Sequence, residues 1–364
     1  MMKSVWRTAR LGDLVVFKTG KLDSNAAVPN GDYPFFTCSQ ETLRTNTCSF
    51  DTECVLLAGN NANGIYPLKY FHGKFDAYQR TYVITPRDSN ALTIKFLYYT
   101  LRPKLSEFRS ISTGTATKFL TMTILNAAEI VVPPLPTQQR IAAVLSAYDG
   151  LIENNQRRIQ ILESMARAIY RQRYVGAANS TFGALCELVK EPFDEREHSD
   201  RPLLDLARMP QRTIAPAETG KASELTTSRI LFEPGDTLFG AIRCYLHKVL
   251  AAHFPGVTNT SVLVLRPKKP NFRSLVALIA SDSDTIRWAD THSTGAKMPV
   301  INWGVFQTMP APLPSESSAQ EFENVARPML EQIGILANQI QNLRRTRDLL
   351  LPRLLSGQIN LAEN

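Results

Sequence analysis

The chain has 364 residues, 44% of them hydrophobic, and 41 Lys and Arg against 33 Asp and Glu, for a net charge of +8. That length is enough for two ordinary domains, each with its own core. No stretch approaches the roughly 18 uninterrupted apolar residues of a membrane span, and the opening "MMKSVWRTARLGDLVVF" lacks the apolar run of a signal peptide, so a cytoplasmic protein is expected.

Residues 1–135 form the first expected domain and hold most of the basic excess, 15 Lys and Arg against 10 Asp and Glu. "ECVLLAG", "RTYVIT" and "AEIVVP" read as strands, and "IKFLYYTLRPKLSEF" as a short helix.

Residues 136–176 read as one long helix. Ile141, Leu145, Tyr148, Ile152, Asn155, Ile159, Leu162, Ala166 and Ile169 recur at alternating steps of four and three, the seam of a coiled coil. Arg140, Glu153, Arg157, Arg158, Glu163 and Arg167 are expected in water on its flanks. Asn155, polar within an apolar seam, is expected to fix register or to accept a partner side chain.

Residues 177–312 form the second expected domain, with "DTLFGAI", "SVLVLRP" and "FQTMPAP" as strands and "FRSLVALIASDSDTIRWA" as helix. The run "VKEPFDEREHSDR" reads as a solvated loop, too acidic to lie against phosphates. Residues 313–364 repeat the long-helix pattern through Phe322, Ala326, Met329, Ile333, Leu336, Ile340, Leu343, Arg347 and Leu350. Pro328 argues that this helix starts near that point or follows an irregular turn, and Arg347 is an unusual seam residue. Each seam must be buried, and a compact domain bridges the two helices at one end, which predicts an antiparallel pair.

The chain is an internal repeat. "LGDLVVFKTG" resembles "FGALCELVKEP", "STGTATKF" resembles "STGAKMP", "PLP" recurs, and Ile152 aligns with Ile333, all in the same order. The expected fold class is α+β: two mixed domains in tandem with an approximate two-fold relation, separated by two long helices pairing as a coiled coil.

Known chemistries are missing. The sequence has no G-x-x-x-x-G-K-[ST] loop, no acidic residue with a lysine two positions on, and no N-P-P-[FY] or D-P-P-[FY] tetrapeptide. Cys38, Cys48, Cys54, Cys186 and Cys244 are odd in number and never form C-x-x-C, so buried or partly buried free thiols are expected and no metal site. Catalysis by this chain is not expected.

"VPPLPTQQRIAAVLSAYDGLIENNQRRIQILESMARAIYRQ" with its terminal echo, together with "KFDAYQRTYVI" and "GDTLFGAIRCYLHKVLAAHFPGV", resembles the DNA specificity subunits of type I restriction-modification enzymes over nearly the whole chain. The resemblance implies two target-recognition domains, each reading one half of a gapped site in double-stranded DNA, and an antiparallel coiled coil. It also implies modification (methyltransferase) subunits, two of them, docked on the helices, and restriction (motor-nuclease) subunits. S-adenosylmethionine, ATP and Mg would then sit on the partners and no cofactor on this chain. Arg157 and Arg158 are the expected docking residues. A stand-alone pseudo-dimeric DNA-binding regulator and a degenerate enzyme remain the alternatives.

Read with DNA in mind, the candidate contacts lie on loops. Asn60, Asn61 and Asn63 form one cluster beside Gly64, and equally suit a polar turn. Tyr78, Gln79 and Arg80 precede a strand, where Arg80 suits guanine, phosphate or Asp76. Arg109, Thr113, Thr115 and Lys118 surround Gly114, and the repeat supplies Ser293, Thr294 and Lys297, groups small enough to bring backbone N–H close to phosphate. Arg243, Tyr245 and His247 alternate and would share one face of a strand, where a Tyr–His pair on the sheet is the other reading.

Overall fold

The computed structural model describes residues 6–62, 64–112, 114, 117–216, 218–225, 227–359 and 361. The chain divides into two compact units, residues 1–149 with 345–364, and residues 150–344.

In the first unit the strand Phe50–Ala58 lies inside a six-stranded sheet. Alternate residues serve opposite faces, as the two-residue period of a strand requires. Val55 and Leu57 pack in the core containing Phe96 and Phe108, while Cys54 and Leu56 pack with Phe36 and Phe75. The sheet runs in the order Val15–Thr19, Thr81–Pro86, Phe50–Ala58, Leu68–Ala77, Tyr33–Phe36, Leu43–Thr45. The helix Ile94–Ile111 is capped by Thr93, whose Oγ1 accepts from the Phe96 amide at 3.3 Å, and it covers one face with Phe96, Leu97 and Leu101.

The second unit repeats the plan. A short strand, Arg7–Arg10, leads through one helical turn into Val15–Thr19 in the first unit; Ser180–Thr181 leads through Phe182–Ala184 into Cys186–Val189 in the second. Four strands then follow in matching order: Cys186–Val189, Val262–Pro267, Thr237–Gly240, Val249–Ala251. Both opening strands pair antiparallel with the strand that precedes a long helix, Glu129–Val132 and Pro310–Ala311. The tandem α+β reading therefore holds for these shared elements, while the second unit carries a separate four-stranded sheet where the first extends its sheet to six strands. Two expected elements differ. "FQTMPAP" is strand only at Pro310–Ala311, since Phe306 closes a short helix capped by Asn302. The expected single helix at 272–289 is two, Arg273–Ala280 and Ser283–Thr291, because Asp282 caps the second by accepting from the Asp284 amide.

The long helices are Leu135–Tyr174 and Glu316–Leu355, of 40 residues each. Ile141 and Leu145 are buried in the first unit with Leu351 and Leu354; Ile152 and Ile159 are buried in the second with Ile333, Leu336 and Ile340. Tyr148, Leu162 and Leu343 are half-buried at the seam margin. Asn155 Nδ2 donates to Gln339 Oε1 at 3.2 Å, and the Tyr174 hydroxyl donates to the Ser318 carbonyl at 3.3 Å. Partner numbers fall as helix numbers rise, so the pair is antiparallel, and Asn155 has its mate on the opposite helix.

Three expectations about the helices need correction. The terminal helix does not begin at Pro328 but runs through it; Pro328 is exposed, so the carbonyl its ring frees faces solvent rather than the seam. Glu163 is buried rather than solvated, and accepts from the Thr213 hydroxyl and from the Ile214 amide at 2.9 Å. Arg167 is half-buried, donating to the Ser281 carbonyl at 2.7 Å. Arg347 is buried at the seam because Asp149 and Asp348 both accept from it. Among the thiols, Cys48 is exposed.

Candidate nucleic-acid interface

Three stretches far apart in the first-unit sequence meet at one place. The two-residue strand Asn60–Asn61 pairs antiparallel with Lys118–Phe119, Asn60 opposite Phe119 and Asn61 opposite Lys118. The Gly59 amide donates to the Arg80 carbonyl at 2.7 Å, and the Leu120 amide donates to the Gly59 carbonyl at 2.9 Å. The Arg80 guanidinium lies 5.4 Å from the Phe119 ring centroid. Gly64, at φ +65°, sits against the stems of Arg109 and Lys118. Asn60, Asn61, Arg80, Arg109 and Lys118 thus form one basic, amide-rich surface, with Arg80 and Arg109 exposed. Asn63, Thr113 and Thr115 lie outside the described residues.

The local chemistry explains the frame. A side chain on Gly114, at φ +109°, would run into the Thr117 carbonyl, so only glycine permits this turn. Arg80 is not held by Asp76, whose carboxylate accepts instead from the Thr47 and Ser49 hydroxyls at 2.8 and 2.9 Å. Gln79 is exposed but tied to Asp23, its amide nitrogen donating at 2.8 Å, and Tyr78 is half-buried.

The second unit builds the same frame. The Ile301 amide donates to the Ala241 carbonyl at 3.0 Å, as Leu120 does to Gly59. Ile242 bridges Val300, and Gly295 has φ +106° where Gly114 has +109°. The residues after these frames cap the next helices alike: Thr121 accepts from Ile124, and Asn302 from Val305.

Two expectations fail here. Arg243, Tyr245 and His247 do not share a strand face. Residues 244–246 form a single 3-10 turn, flanked by Arg243 and His247 at φ +53°, which leaves Arg243 and Tyr245 exposed and turns His247 inward. His247 Nε2 lies 2.9 Å from the Ser281 carbonyl, and burial pushes its pKa down, so it is not a cation for phosphate. Lys297 is not the counterpart of Lys118 either, because the Gly114–Gly295 frame places Pro299 at that position. Ser293 is held by the Ala289 carbonyl at 2.7 Å, while Thr294 and Lys297 are exposed.

Sequence reasoning missed Phe119 and Gln138. Phe119 sits directly after Lys118 in the repeated loop, a signal that was present. Gln138 is fully buried: its oxygen accepts from the Thr93 amide at 3.0 Å, and its nitrogen donates to the Ala91 and Pro133 carbonyls. Nothing in a polar run announces that. No group of three or more His, Cys, Asp or Glu among the described residues is placed to hold a metal ion, and no helix is long and apolar enough to cross a membrane. Burial pushes the Cys54 thiol up to about 12, which keeps it protonated and inert.

Comparison with known proteins agrees with this architecture. Residues 3–164 match the family described as type I restriction modification DNA specificity domain. The chain is 26% identical to the type I restriction enzyme EcoDI specificity subunit of Escherichia coli, over 93% of this chain and 84% of that one. It is 23% identical to the MjaIX specificity subunit of Methanocaldococcus jannaschii, over 77% of this chain and 72% of the other. The crystal structure of a type I restriction-modification S subunit from M. genitalium shares its fold, with a TM-score of 0.66 at 17% identity, covering 97% and 96% of the two chains.

Proposed function

We propose that this chain, a relative of the type I restriction-modification specificity subunits whose DNA specificity domain its first half carries, is the non-catalytic, sequence-reading subunit of such a complex. It reads a gapped, two-part site in double-stranded DNA, one part with each unit. The observation that carries this reading is the shared frame. The Gly59–Leu120 and Ala241–Ile301 hydrogen bonds hold loop pairs of the same construction, one per unit. In the first unit Arg80, Arg109 and Lys118 supply charge for phosphates. Asn60, whose oxygen accepts from the Cys38 thiol at 2.9 Å, keeps its amide N–H donors for base edges. In the second unit the exposed Arg243 and Lys297 supply charge for phosphates and the exposed Thr294 a hydroxyl, without the Asn60–Asn61 amides of the first. Methyltransferase subunits dock on the exposed flanks of the long helices, where Arg157 and Arg158 stand in solvent, and motor-nuclease subunits complete the assembly. S-adenosylmethionine, ATP and Mg act on those partners.

Mapping methylated bases across the host genome, with and without this gene, tests the reading. A gapped motif that disappears on deletion is the expected result. Methylation unchanged by the deletion would refute it.

A further inference from the structure

The two frames present something the charged residues do not account for. Large apolar side chains are normally scattered singly over a surface, and their gathering marks an interaction site. Ile65, Ile111, Phe119 and Met122 are all exposed beside the first frame, and Tyr245, Met298 and Val300 beside the second. Phe119 and Val300 occupy the same position of the two frames, opposite Asn60 and Ile242. The exposed aromatic of the second frame comes from the other strand of the pair, as Tyr245.

Each aromatic is held out by specific construction. Phe119 is 37% exposed, flanked by the Gly114 turn and covered on one side by Arg80. Tyr245 is 51% exposed at the apex of a turn whose two ends are non-glycine residues in the left-handed region. Such backbone costs of order 1–3 kcal/mol per residue and persists only where its surroundings over-determine it. Here they do. The Arg243 amide donates to the Pro299 carbonyl at 2.8 Å, the Arg212 amide donates to the His247 carbonyl at 2.8 Å, and the His247 ring meets Ser281. The result is an aromatic ring pushed into solvent beside an exposed arginine.

We propose, resting on the DNA-reading function above, that Phe119 and Tyr245 are the base-contacting tips of the two units. Each meets bases of one half-site by stacking or apolar contact, while the neighbouring cations hold phosphates. Charge complementarity selects the partner, since Arg80 covers one ring and the exposed Arg243 lies two residues before the other. An apolar side chain entering a base step or meeting a thymine methyl supplies discrimination that cations on phosphate cannot.

The test uses the chain assembled with its methyltransferase partners, a duplex bearing the mapped site, and duplexes altered in one half-site at a time. Phe119→Ala is expected to lower affinity for the intact site by about tenfold or more. It should abolish discrimination at one half-site only, with the salt dependence unchanged. Tyr245→Ala should do the same at the other half-site. Both rings are exposed, so each variant should melt with the parent. Should one melt early, the unaltered chain still decides the matter. Photocrosslinking to 5-iodouracil placed in each half-site should yield adducts on Phe119 from one and Tyr245 from the other. Adducts only on other residues, equal loss on every duplex, or full discrimination retained at both half-sites would overturn the proposal. An unaltered complex that fails to prefer the mapped site would instead refute the DNA-reading function itself.

Discussion

The two units grip the same pair of helices with opposite chemistry. In the first, the central helix supplies the acid: Asp149 accepts from the Tyr99 hydroxyl at 2.7 Å, from Arg102 at 3.5 Å and from the buried Arg347. In the second the polarity of the ion pair is reversed, Arg171 donating two hydrogen bonds to Asp282 at 3.0 and 3.2 Å. Arg167 donates to Ser281, and Glu163 of the same helix accepts from Thr213 and Ile214. The pattern matters energetically because of which partner is buried. Arg347 has little solvent to fall back on, whereas the Arg171 side chain is half exposed. A repeat can thus keep its fold while the units diverge in how strongly one residue holds each junction.

The largest effect should follow from Asp149→Ala. Leaving Arg347 buried with only Asp348 for company should cost roughly 3 kcal/mol, read as a lower midpoint in urea unfolding. An unchanged midpoint would break the contrast. Glu163→Ala should cost about 2 kcal/mol by the same measurement, since the buried Ile214 amide and the Thr213 hydroxyl both lose their acceptor. Asp282→Ala should cost only about 1 kcal/mol, the worth of the lost helix cap, because Arg171 returns to water and a surface pair contributes little. Equal losses for Asp149→Ala and Asp282→Ala would show that burial of the cation does not set the difference.

Acid should sharpen the contrast further. Burial lowers the pKa of His247 and of His253, and both belong to the second unit. A histidine whose folded pKa lies below its unfolded value of 6.5 leaves the unfolded chain holding more protons in that interval. Stability from these groups is therefore complete above pH 6.5 and falls as pH drops below it. Hydrogen exchange followed from pH 7 to 5 should show protection lost earlier in residues 150–344, and His253→Asn should flatten the trend. The smallest effect concerns the frames. Lys118→Ala should lower affinity for all DNA sequences and reduce the salt slope by about one counterion. Lys297→Ala, which is out of register with Lys118, should change the slope less.

Much of this protein is legible in its sequence. The seam residues from Ile141 to Leu343, the tandem order and the glycine turns depend on local periodicity and local backbone sterics, which a linear sequence records directly. That Asn60, Arg80, Arg109 and Lys118 form one surface is not legible, because it depends on a two-residue strand pairing with residues far along the chain, Asn60 with Phe119 and Asn61 with Lys118. Periodicity also misread residues 243–247, where alternation suggested a strand. The segment is instead held by the Pro299, Arg212 and Ser281 backbones, all remote along the chain. Glu163 and Pro328 show the same limit from both sides. Polarity and helix propensity set what each residue prefers alone, but the neighbour packed against it decides whether a carboxylate is buried or a proline rides on an open face. The sequence by itself determined the long helices, most of the strands and the repeat. Only the tertiary structure decided which side chains stand together in water and which are drawn into the core, because those outcomes are set by partners remote along the chain.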